Sequence, residues 1–199
     1  GALNYFVLGT NTTDYSRFKV AGGVSLTGAT TGFLPFYAGQ VGDSFTIVDN
    51  DGADPIIGNF TGLPEGAYLA WPGSPLLNGR ISYVGGDGND VVLTLVSALV
   101  VRNTSSSTNI GSLRSALAAA AATPGTDTIT FDSSLNGQAI LLTNQIEIAD
   151  PNGVTIDGTA MTSGFAFSGL NVSRIFQNPT GSIATLKGFG FIGGNGTGT

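Results

Sequence analysis

The feature that most restricts the fold is a run of very short apolar segments, almost all separated by Gly, Asn, Asp or Pro, across residues 127–192. Ile129-Thr-Phe131, Ile140-Leu-Leu142, Ile146-Glu-Ile148, Val154-Thr-Ile156, Phe165-Ala-Phe167, Arg174-Ile-Phe176, Ile183-Ala-Thr-Leu186 and Phe189-Gly-Phe-Ile192 follow one another at uneven but similar intervals. None is long enough to bury a face by itself. Wound as coils, they stack about 4.8 Å apart and share an interior. The pattern therefore predicts a right-handed parallel β-helix, whose exposed first coil needs a cap. The only helical periodicity lies just upstream. Ser112 is placed to N-cap it, and Leu113, Ala116, Leu117, Ala120 and Ala121 recur on one face before Pro124-Gly125 ends it. An alanine-rich helix over about residues 112–123 is marginal alone in water, so its stripe is expected on the coils.

Residues 1–97 have a different grammar. Tyr5–Leu8, Phe18–Val20, Val24–Leu26, Ser44–Val48, Tyr68–Trp71, Arg80–Val84 and Val91–Leu95 read as strands between turns, and nothing recurs at helical spacing. Gly22-Gly23 is a hairpin signal between two of them. The expectation is an all-β chain of two domains: a β-sandwich-like or coil-ending β domain at 1–97, then the helix-capped start of the parallel β-helix at 98–199.

Composition narrows the chemistry. With no Cys and no His, the chain cannot supply thiolate or imidazole metal ligands, disulfides or a His-based triad. A net charge of −6, with no Lys/Arg stripe, argues against nucleic acid as a partner. Charged residues are 10% and hydrophobic ones 41%, the reverse of a disordered chain. No apolar run is long enough to span a bilayer, and no basic-then-apolar leader opens at Gly1.

Gly111-Ser-Leu-Arg-Ser-Ala-Leu117, Thr123-Pro-Gly-Thr-Asp-Thr-Ile-Thr-Phe131 and Val154-Thr-Ile-Asp-Gly158 resemble the opening of bacterial surface β-helix proteins of the polymorphic-outer-membrane-protein-like and autotransporter-like families. Gly42–Gly52, Phe60–Gly66 and Ile81–Thr94 are similar to a segment that closes autotransporter-associated β-strand repeat regions. Ser115 departs from the acidic residue usual at its place, which weakens a reciprocal capping box. The resemblance implies a non-enzymatic structural or adhesive module, extracellular or at the cell surface, and a window on a longer polypeptide. If the chain is instead a true subunit, the uncapped coil after Ile192 is an unpaired edge and is expected to stack head-to-tail on the Leu3–Leu8 end of another copy; a cell-surface or carbohydrate ligand is the other expected partner.

Gly85-Gly-Asp-Gly-Asn-Asp-Val-Val-Leu93 fits a calcium-binding nonapeptide, with Asp87 and Asp90 as candidate metal ligands and calcium the one implied cofactor. Such sites are built between stacked copies and this chain has one, so a tight glycine turn is the competing reading. Asp49-Asn-Asp-Gly-Ala-Asp54 gathers three more carboxylates but fails the EF-hand template, and it joins the first turn only if folding brings them together. A carbohydrate-active β-helix enzyme is the other alternative. Its candidate groups are Asp127, Asp132, Glu147, Asp150 and Asp157 with Arg102, Arg114, Arg174 and Lys187, yet most of the acids flank turns and no acid–base pair stands out. Sequons occur at Asn11, Asn59, Asn103, Asn171 and Asn195. Phe33, Phe36, Tyr37 and Trp71 offer a sugar-stacking platform, with burial in the core the competing reading.

Overall fold

The computed structural model describes residues 1–196. The chain divides into two compact units, Gly1–Ser97 and Ala98–Thr199. Both are built from strands, and the one α-helix among the described residues lies in the second.

In the first unit the strands are β1 (Ala2–Val7), β2 (Phe18–Val20), β3 (Thr30–Pro35), β4 (Ser44–Asn50), β5 (Tyr68–Ala70), β6 (Leu77–Gly85) and β7 (Asp90–Ser97). It begins as coils. β1 runs parallel to β3, with Ala2 against Thr30, and β2 runs parallel to β4, with Phe18 against Val48. Each turn of the coil takes close to thirty residues. The Gly22-Gly23 hairpin does not form: Gly22, at φ 103°, turns a corner, and Ser25 goes on to bridge Ile57 in parallel. A glycine at positive φ serves a corner as well as a reversal. The coils end in antiparallel strands, giving the sheet order β2-β4-β7-β6-β5. The first half is therefore of the coil-ending kind.

Alternation sets the core of this unit. Val91, Leu93 and Leu95 of β7 point inward and are fully buried, meeting Phe45, Ile47 and Ile81. Burying such a side chain stabilises by about 1.5–3 kcal/mol. Trp71 stacks on Phe45 at 5.7 Å and donates its indole N–H to the Ala38 carbonyl at 2.9 Å. The Phe60–Gly66 loop is pinned by Tyr83, whose hydroxyl donates to Leu63 O at 2.7 Å and accepts from the Phe60 N–H at 3.1 Å.

The second unit is a parallel β-helix. Its elements are β8 (Val100–Val101), α1 (Leu113–Ala121), β9 (Asp127–Phe131), β10 (Ala139–Leu141), β11 (Ile146–Glu147), β12 (Val154–Asp157), β13 (Ala166–Ser168), β14 (Phe176–Gln177), β15 (Ala184–Lys187) and β16 (Gly190–Ile192). They stack into three parallel sheets, ordered β15-β12-β9-β8, β10-β13-β16 and β11-β14. Register holds like over like: Ile129, Ile156 and Leu186 form one column, and Ile140, Phe167 and Phe191 another.

Helix α1 closes the interior at the β8 end, burying Leu113, Ala116, Leu117 and Ala120 in the same core as Val101, Ile129 and Ile146. Ser112 Oγ accepts the Ser115 N–H at 3.2 Å, half of a capping box. Arg114 fastens the helix by donating to the carbonyls of Ser106 at 2.7 Å, Gln145 at 2.9 Å and Asn144 at 3.0 Å.

Candidate functional site

Two acidic turns that lie far apart in the sequence meet in the first unit. Asn50 ends β4 and Asp90 opens β7, and the antiparallel β4–β7 pairing sets them side by side. The Asn50 main-chain N–H donates to Asp90 Oδ1 at 2.9 Å. Asn50 Nδ2 donates to the Asp54 carbonyl at 2.7 Å. Asn89 Nδ2 donates to the same carbonyl at 3.1 Å and also to the Gly52 carbonyl. Gly86, at φ 56°, leaves where a Cβ would stand the room that Asp90 Oδ2 fills.

The junction is buried. Asn50 is 1% exposed, Asn89 6% and Asp90 8%. The Oδ1 atoms of both asparagines are buried without a hydrogen-bond partner, each at a cost of about 1–3 kcal/mol. Of the two metal candidates, Asp90 sits inside this junction, while Asp87 is exposed at the tip of the β6–β7 turn. Asp49 is turned to other work: it pairs with Arg17 at 3.2 Å and Lys19 at 3.7 Å. Sequence reasoning missed Asn50 and Asn89. The available signal was an Asn beside an Asp in each turn. Among the described residues no three acidic side chains gather for a metal, so the oxygens at this junction come mainly from amides and the main chain.

The second unit spends most of its aspartates on turns. Asp150 Oδ1 accepts the N–H groups of Asn152 at 2.8 Å and Gly153 at 3.3 Å. Asp132 Oδ1 accepts the Ser134 N–H at 3.0 Å, and its hydrogen bonds to Ser134, side chain and backbone, hold the carboxyl below its ordinary range. Asp157 accepts from the Thr159 hydroxyl at 2.6 Å and N–H at 2.9 Å, and from Lys187 at 3.3 Å. Those bonds, Thr159's first, bring it down to about 2. Asp127 accepts from the Thr123 hydroxyl at 3.1 Å. Glu147 lines a shallow groove with Arg114 and Leu117, and Arg174 lines another beside Phe176 and Phe191. Arg102 donates to the Val100 carbonyl at 2.9 Å.

Two apolar surfaces stand out. Phe6, Leu8, Leu34 and Phe36 form an exposed strip along β1 and β3, with the Phe6 and Phe36 rings nearly parallel at 6.5 Å. Phe33 and Trp71 are core, and Tyr37 donates its hydroxyl to Asp43 at 2.9 Å, so of the four aromatics only Phe36 faces out. The second surface is the end of the coil ladder. In the column Ile140, Phe167, Phe191 the first two are fully buried and Phe191 is 53% exposed. Leu186, above the buried Ile156, is exposed too, and β15 and β16 carry no further strand among the described residues. At the other proposed docking end, β1 is already half taken, since Ser16 N–H donates to Phe6 O at 2.8 Å and Leu8 N–H to Asp14 O at 2.7 Å. The sequons at Asn11, Asn59 and Asn171 are exposed; Asn103 and Asn195 are half-buried.

No protein-family model, curated protein or solved structure matches this chain.

Proposed function

We propose that the chain is a non-enzymatic scaffold and adhesion segment of a bacterial surface β-helix protein, working outside the cell. The observation that carries this reading is the parallel ladder itself, in which Ile129, Ile156 and Leu186, and beside them Ile140, Phe167 and Phe191, stack in register. Repeated layers of this kind make a stiff support. The strip of Phe6, Leu8, Leu34 and Phe36 supplies the adhesive contact, since aromatic faces on a flat sheet suit the apolar faces of sugars. Carboxylates committed to turns and caps weigh against the carbohydrate-active enzyme, which needs an acid and a base free at one cleft.

The test is location and binding together. An antibody raised against the chain is expected to label intact producing cells, and the purified chain to be retained on insoluble cell-wall or plant polysaccharide, with Phe36→Ser reducing retention severalfold. Antigen confined to the cytosolic fraction, or release of new reducing ends from those polysaccharides, overturns the reading.

A further inference from the structure

The outer face of β1 and β3 is flat, apolar and without charge. Alternation along the two strands buries Tyr5, Val7 and Phe33 and turns Phe6, Leu8, Leu34 and Phe36 outward, at 50%, 64%, 48% and 74% exposure. Parallel register sets Phe6 beside Leu34. The planes of the Phe6 and Phe36 rings differ by only 8°, so one flat object meets both at once. Ala2, Asn4, Thr30 and Gly32 continue the same face, and none of them is long or charged. The charge beside the strip is negative: Asp14 lines a shallow groove with Phe6 and Leu8 and accepts from Asn11 Nδ2 at 2.7 Å. Coils add to one another at their strand edges, so stacking does not cover this face.

We propose that this face binds the flat surface of an insoluble, unsubstituted β-1,4-glucan, as in cellulose. The inference rests on the adhesive reading above and names its ligand. Size argues against a protein partner: four partly exposed side chains fall far short of the about 800 Å² that each side of a stable interface buries. Charge argues against the other extended surfaces. An anionic membrane or an acidic polysaccharide calls for Lys or Arg, whereas this face has neither, adjoins Asp14 and belongs to a chain of net charge −6. A soluble sugar is held by polar groups that converge in a pocket, and the strip offers no such convergence. The ligand that fits is flat, uncharged and extended. With β-1,4 linkage and equatorial substituents, a glucan is a straight ribbon whose two faces are rows of C–H groups, and packed ribbons expose those rows as a sheet. α-Linked glucans coil and present no such sheet, and the acetamide groups of chitin need hydrogen-bond partners that the strip lacks. Phe6 and Phe36 cover C–H groups through dispersion and apolar burial. Each contact is weak, so a free oligosaccharide, which loses its flexibility on binding, is not held, whereas packed ribbons are rigid beforehand.

The experiment mixes the full chain with microcrystalline cellulose, crystalline chitin, insoluble starch or cross-linked pectate and reads the bound fraction after sedimentation. Cellulose is expected to retain at least about fivefold more than starch or pectate, and about twofold more than chitin. Retention should survive about 0.5 M sodium chloride, because no ion pair carries it, and should not be reversed by soluble cellohexaose. Phe6→Ala and Phe36→Ala should each lower retention on cellulose about threefold or more. Phe36→Trp enlarges the exposed ring, removes nothing from the core and should raise it. Phe191→Ala is the control: it deletes a ring of the second unit that is 53% exposed and should leave retention unchanged. Retention on pectate in place of cellulose would overturn this inference and leave adhesion standing, whereas retention on none of the four polymers would overturn both. Equal retention on cellulose and starch or chitin, release by salt or cellohexaose, a Phe36→Trp variant that binds less, or a Phe191→Ala loss matching that of Phe36→Ala would each overturn the choice of ligand.

Discussion

Phe167→Ala tests the stacked-coil interior most directly. Phe167 is fully buried on β13, the middle strand of its sheet, between Ile140 below and Phe191 above. Its ring meets Phe165, Phe176 and Phe189 edge-on at 5.4, 5.0 and 5.0 Å. Truncating a buried phenylalanine costs about 3–5 kcal/mol, and the edge contacts place this site at the upper end. A unit of this size is stable by roughly 5–15 kcal/mol, so at least a third of its stability goes. Melting of the second unit should fall by at least about 12 °C.

Phe191→Ala supplies the internal control. The residue type and column are the same, but half the ring is exposed, so the loss should be about half as large or less. Because coils contact only their neighbours, the damage from Phe167→Ala should also be local. Far-UV circular dichroism gives the transition, and hydrogen exchange read by peptide gives its location, with protection lost first across β10, β13 and β16. Equal losses at 167 and 191, or faster exchange spread evenly over the unit, would refute the column as the source of stability.

Other outcomes follow from particular groups. Tyr5 has its hydroxyl buried without a partner, so Tyr5→Phe should leave stability unchanged or raise it by up to about 1 kcal/mol, measured by urea unfolding. Burial pushes the Tyr5 phenol up to about 12; the fold therefore favours the neutral form, and wild type should lose stability as pH climbs from about 10 to 12 while Tyr5→Phe loses less. Asp157 is the opposite case. Its carboxyl sits at about 2, below the unfolded value near ~4, so its contribution is complete above about pH 4 and disappears as pH falls toward 2; acid titrations of wild type and Asp157→Asn should converge there. The open edge should make the purified chain self-associate with rising concentration in sedimentation velocity, and a paired Phe191→Lys, Ile192→Lys variant should stay monomeric.

The second unit was legible because each strand carries its own punctuation. Gly153 before Val154, or Gly164 before Phe165, marks a corner, and the apolar residues between corners must share one interior. The helix was legible from its cap and stripe. β3 was not: Thr-Thr-Gly-Phe-Leu-Pro carries Gly32 and Pro35, the residues that usually mark turns. Gly22-Gly23 misled for a related reason, since local sequence states that the chain bends and not whether the next strand returns to its neighbour or to a partner a full coil away. The junction was hidden by the same distance. Asp90 carried a motif, but Asn50 and Asn89 acquire meaning only once β4 lies against β7.

Stacked coils also explain why the chain is so poor in charge. A side chain facing out from a coil has the next coil's residue about 4.8 Å away, so like charges in register repel at every layer. The in-register pairs obey this. Lys19 lies over Asp49, Asp157 over Lys187, and Glu147 over the neutral Gln177. Gln177→Glu would set two carboxylates in register and should destabilise the second unit by about 0.2–1 kcal/mol at neutral pH and low salt, whereas Gln177→Lys should not. The deficit should shrink in 0.5 M salt, which screens an exposed pair. A Gln177→Glu penalty indifferent to salt would mean that lost contact between Gln145 and Gln177, rather than repulsion along the ladder, governs this position.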